Sequence, residues 1–71
     1  MMTAKWRQPN GCEVVTECDR VIAKRLDQKD RHPFVVVIVG PDGRQEQRND
    51  GTVYLMNDTG ATVSQWFISG G

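Results

Sequence analysis

Few residues in this chain could do chemistry. Two cysteines, Cys12 and Cys18, and a single histidine, His32, are its candidates for a nucleophile and a base. A thiolate–imidazole couple would need one of those thiols within hydrogen-bond reach of the ring. Cys18 falls on an apolar stripe, where a thiol serves as packing rather than as a nucleophile. His32 precedes Pro33 in a polar stretch that reads as a solvated loop. One histidine and two cysteines lack the close ligand pairs of a zinc site. The acids Glu13, Glu17, Asp19, Asp27 and Asp30 alternate with bases. That is the pattern of a solvated face with pairs such as Asp27 with Arg31, not of an acid–base couple. Gly40, Gly43, Gly51 and Gly60 show neither a GxGxxG nor a Walker spacing. No cofactor or metal is expected, and the chain reads as a non-enzyme.

Aromatic residues offer a second kind of chemistry. Trp6, Tyr54, Trp66 and Phe67 could stack on single-stranded bases, with Lys5, Arg7, Arg44 and Arg48 on the phosphates. Nine Lys and Arg balance nine Asp and Glu, however, so the formal net charge is zero. The positive surplus that accompanies strand binding is missing. Nucleic-acid binding is therefore the alternative reading, and the aromatics read first as core or protein contact.

The elements that must position these residues divide at Pro33. Residues 12–30 carry Val14, Val15, Cys18, Val21, Ile22 and Leu26 at helical spacing. Asn10 with Glu13 fits a capping arrangement, and Lys24, Arg25 and Lys29 suit a helix C-terminus. An amphipathic helix over 12–30 is expected, ending before Pro33. Beyond it the pattern becomes β-branched, with strands expected over 34–39, 44–48, 52–57 and 61–68, separated by Gly- and Asn-rich turns. Residues 69–71 read as a flexible tail. The expected architecture is α+β: one helix packed on a three- to four-stranded antiparallel meander, with a small all-β barrel as the alternative. Seventy-one residues make this a single small domain, 1–71.

A lone helix covers one face of such a sheet. In the last two strands, alternation puts Val53, Leu55, Val63 and Phe67 on one face and Tyr54, Met56, Trp66 and Ile68 on the other, and a slip of register swaps the sets. The uncovered face points to a non-catalytic protein-interaction module: a regulator, inhibitor or accessory subunit. Its contact residues would be Tyr54, Met56 and Trp66, with Trp6 at the rim. The partner would be a larger protein or a second copy in a homodimer. The longest apolar run, Phe34 to Val39, is far too short for a membrane span, and the first residues show no apolar leader core. On one helix, Cys12 and Cys18 would lie about 9 Å apart along the axis. A disulfide wants Cα atoms within about 7 Å. Two reduced thiols suggest a cytoplasmic protein.

The last residues, Phe67-Ile-Ser-Gly-Gly71, resemble the tails of small sulfur-carrier and ubiquitin-like proteins. The resemblance implies a carrier whose terminal Gly-Gly enters an adenylating enzyme. It also implies a fold with a hydrophobic hairpin ahead of its helix.

Overall fold

The computed structural model describes residues 1–69. Seven strands follow one another: β1 (Met2–Arg7), β2 (Glu13–Cys18), β3 (Arg20–Lys24), β4 (Val35–Val39), β5 (Gln45–Arg48), β6 (Thr52–Met56) and β7 (Thr62–Phe67). They form a four-stranded sheet, β2-β1-β6-β7, and a three-stranded sheet, β3-β4-β5. Every pairing is antiparallel. The fold is all-β, and no helix is present among the described residues. The α+β expectation, and with it the helix over 12–30, is therefore overturned.

The reason lies in a corner. Five of the twelve residues from Glu13 to Lys24 are β-branched, namely Val14, Val15, Thr16, Val21 and Ile22, and such side chains fit a pleated surface better than a helix. In β2 the even-numbered residues share a face with Met2, Ala4 and Trp6 of β1, through the pairs Met2 with Cys18, Ala4 with Thr16 and Trp6 with Val14. The chain then bends at Asp19, which belongs to neither strand, and its N–H donates to the Val39 carbonyl at 2.7 Å. Past the bend the odd-numbered Val21 and Ala23 pack on the core. Positions on the core side of the sheets thus run 14, 16, 18, then 21, 23, with Val14 at the outer end of β2 still 39% exposed. The phase change at the corner places Val14, Cys18 and Val21 at i, i+4 and i+7, which is the spacing of a helix face.

Two sheets then close on one another. Ala4, Cys18, Val36, Ile38 and Val53 form the buried core, with Met2, Trp6, Val21, Ala23, Leu55, Trp66 and Ile68 packed against it. All five residues of β4 are buried, as expected for a central strand of β-branched residues. Its flanking strands put Ile22 and Gln47 on either side of Val37. The radius of gyration, 11.6 Å, is close to the roughly 11 Å of a compact chain of this length. No helix is long and apolar enough to cross a membrane among the described residues.

Between β3 and β4 the chain makes its longest excursion. The base of this loop is closed by the Phe34 N–H donating to the Lys24 carbonyl at 2.9 Å, and Pro33 is fully buried. At its tip the Asp30 N–H donates to the Asp27 carbonyl at 3.0 Å, and the Lys29 N–H to Asp27 Oδ1 at 2.9 Å. At the base of the same loop, the Ser69 N–H donates to the Pro33 carbonyl at 2.9 Å. Ser69 is thus bound rather than free, and the remainder of the expected tail, residues 70 and 71, lies outside the described residues.

Gly51 makes the tightest joint. Its φ of +80° suits glycine, and a Cβ there would stand 2.1 Å from the Arg7 carbonyl oxygen and 3.0 Å from Trp6 Nε1. Gly51→Ala should cost more than about 2 kcal/mol, combining backbone strain with a clash against fixed main chain. Gly43→Ala has a similar φ, +87°, but open space around its Cβ, and should cost less. Urea denaturation of both variants checks the order, and equal midpoints would contradict it.

Candidate interaction surface

Register fixes which side chains share a face. On the inner face of the larger sheet, Trp6 lies opposite Val53, and Val53 opposite Trp66. On the outer face Lys5 lies between Val15 and Tyr54, with Gln65 beyond Tyr54, and Arg7 lies between Glu13 and Thr52, with Phe67 beyond. Thr3 pairs with Met56 on that same outer face. The four contact residues expected from the sequence, Trp6, Tyr54, Met56 and Trp66, are therefore not brought together. Both tryptophans turn toward the core, and Tyr54 and Met56 turn away from it.

Trp6 owes its position to the turn before β6. Its indole N–H donates to the Asp50 carbonyl at 2.7 Å, satisfying the one polar atom of a half-buried ring. The Arg48 guanidinium stands 4.5 Å above that ring, and its Nη2 bonds Glu46 Oε2 at 2.6 Å. Arg48 Nε is buried without a hydrogen-bond partner among the described residues. This pairing holds the edge strand β5 down onto the larger sheet.

The outer face is a mixed surface. Lys5 Nζ lies 4.9 Å and Arg7 Cζ 5.5 Å from the Tyr54 ring centroid, so both cations cover the ring that would otherwise be open. Glu13 Oε2 accepts from Arg7 at 3.0 Å and lies 3.8 Å from Lys5 Nζ. These exposed pairs add little to stability, yet Glu13 offsets one of the two local positive charges. Around them Val15, Val63 and Phe67 are 60%, 52% and 48% exposed. Sequence alternation places Val63 and Phe67 on the face of Val53, and the helical spacing claims Val15, so none of the three is legible as an outer-face residue without the strand pairing.

Cys12 is exposed and Cys18 buried, and both are free. His32 is exposed in the loop, with its ring edge-on to Phe67 at 5.9 Å. No group of three or more His, Cys, Asp or Glu residues suited to a metal occurs among the described residues. A cleft of about 190 Å³ opens between β2 and β5, lined by Thr16, Glu17, Ile38, Asp42, Arg44 and Glu46 among others. It is smaller than the roughly 300–1,000 Å³ of most small-molecule sites. Comparison of the chain with family models, with curated proteins and with solved structures found no match.

Burial pushes the Cys18 thiol up from its ordinary pKa, and the neighbouring Asp19 carboxylate adds to the shift. The folded chain therefore holds that proton more tightly than the unfolded chain. Its contribution to stability is complete below the ordinary thiol range and fades as pH rises through the raised value. At neutral pH a maleimide should label Cys12 alone, with Cys18 reacting only after denaturant is added. Mass spectrometry that finds both thiols labelled at similar rates in the folded protein would contradict this burial.

Proposed function

We propose that this chain is a small non-catalytic protein-interaction module, a regulator, inhibitor or accessory subunit of a larger protein in the cytoplasm. Its docking surface is the outer face of the β2-β1-β6-β7 sheet. The observation that carries this reading is one of coverage. The inner face of that sheet is packed against β3-β4-β5, whereas the outer face leaves Val15, Val63 and Phe67 in solvent around Tyr54 and Met56. Apolar and aromatic side chains on a mixed polar ground suit protein contact. Lys5 and Arg7 against Glu13 leave one net positive charge, which suits a partner surface that is near neutral or weakly acidic. The two free cysteines accord with a reducing compartment.

A nucleic-acid module is the second reading, favoured by two cations and a tyrosine on an open sheet. Against it, the tryptophans face inward and Lys5 and Arg7 are engaged with Glu13 and Tyr54. The carrier reading rests on Gly70 and Gly71, which lie outside the described residues. The helix its resemblance implies is not found among residues 1–69.

Val15→Lys tests the docking face, since the side chain is exposed and its loss should leave the thermal midpoint within about 2 °C. In affinity capture from source-cell lysate, the wild-type chain should retain a protein that the variant releases. Capture of no protein, or of the same protein by both chains, would overturn the proposed face. Salt-sensitive binding of oligonucleotides would put the second reading in its place.

A further inference from the structure

We propose that β7 is a self-pairing edge, joining β7 of a second copy in antiparallel register about a two-fold axis at Gln65. This inference concerns the sheet's edge: it uses Val63 and Phe67 across the axis and leaves Val15, Tyr54 and Met56 of the outer face to a docking partner. Four strands border the two sheets, β2, β7, β3 and β5, and each leaves one row of backbone donors and acceptors unpaired in its sheet. Charge separates them. β2 carries Glu13 and Glu17, β3 carries Arg20 and Lys24, and β5 carries Glu46 and Arg48. β7 reads Thr-Val-Ser-Gln-Trp-Phe, with no charged residue and no proline. Self-pairing of β2 or β3 would gather like charges across the axis, which is unfavourable. β7 meets no such penalty and shows none of the charge or proline devices that blunt an edge.

Register supports the same choice. The Ile68 N–H donates to the Gly51 carbonyl at 3.0 Å, so Ile68, Trp66 and Ser64 turn their main-chain groups toward β6. By alternation Gln65 and Phe67 turn theirs to the free edge. An antiparallel pair centred on Gln65 sets Gln65 against its symmetry mate and Val63 against Phe67 of the second copy, twice. Val63 is the extra β7 residue at the bulge between the Leu55–Ser64 and Met56–Thr62 pairs, and alternation from Gln65 places it on the outer side with Gln65 and Phe67. These are two of the large apolar side chains the isolated chain leaves exposed, so one register both completes the edge and covers them. The free edge ends at Phe67, since the Ser69 N–H already bonds Pro33. Two four-stranded sheets would thereby become one of eight strands.

Sedimentation velocity of the purified chain, up to about 1 mM so that even a weak pair is populated, should show a dimer. Gln65→Lys places like charges across the axis and should return the monomer. Gln65→Glu should do the same, and mixing the two variants should restore the dimer. Circular dichroism and thermal melting confirm that each variant is folded. A wild-type monomer throughout, or a dimer untouched by Gln65→Lys, overturns the proposal. So does loss of the dimer in both variants without rescue on mixing.

Discussion

The bend at Asp19 is what the rest of the structure depends on. One run of chain supplies an edge strand to each sheet, and the hydrogen bond from the Asp19 N–H to the Val39 carbonyl fixes where it crosses. Cys18, immediately before the bend, is completely buried, so the crossing point is also part of the core. Because β2 pairs with β1 and β3 pairs with β4, the bend sets the facing of the two sheets. Corners of this kind, made by a strand that switches sheets, are a recurrent way to stack two sheets without a long connection. The inner faces then bury Val36, Ile38 and Val53 against each other with no helix needed.

That same bend hid the fold from sequence reasoning. Period-two alternation is the signature of a half-buried strand only while the strand is uninterrupted, and one residue outside the ladder reverses the phase. Val14, Cys18 and Val21 then imitate a helix stripe, and Asn10, Glu13 and Lys24 supply coincidental caps. The Asn10 side chain does cap, but in a turn, accepting the Cys12 N–H at 2.9 Å. The β-branched content of residues 13–24 was the available counter-signal. After Pro33 the chain carries no such phase reversal until the β6–β7 bulge, and its turns are marked by Gly43, Gly51 and Gly60, all at positive φ. Antiparallel pairing was legible there for that reason. The site was less legible than the strands. Trp66 and Phe67 are adjacent, so their facing turns on a single register step, and only the pairing with Val53 and Thr52 decides it.

The surface that results is unusual in how its charges are spent. Lys5 and Arg7 lean on Tyr54, and Glu13 ties both together. A face prepared in this way has a polar skin that is largely self-satisfied and so costs little to desolvate relative to bare cations. Its apolar members lie toward both borders, Val15 on β2 and Val63 and Phe67 on β7. Contact with another protein can therefore recruit either border without stripping an unpaired charge.

The excursion between β3 and β4 has a consequence for how the chain can vary. Its ends are fastened at Lys24, Phe34 and the buried Pro33, while the turn around Gln28 is stitched by its own aspartates. Lengthening a loop whose feet are anchored adds closure entropy only logarithmically. The tip at Gln28 and Lys29 is thus a natural place for peptide grafts, epitope tags or whole inserted domains, and for length differences among descendants of this gene.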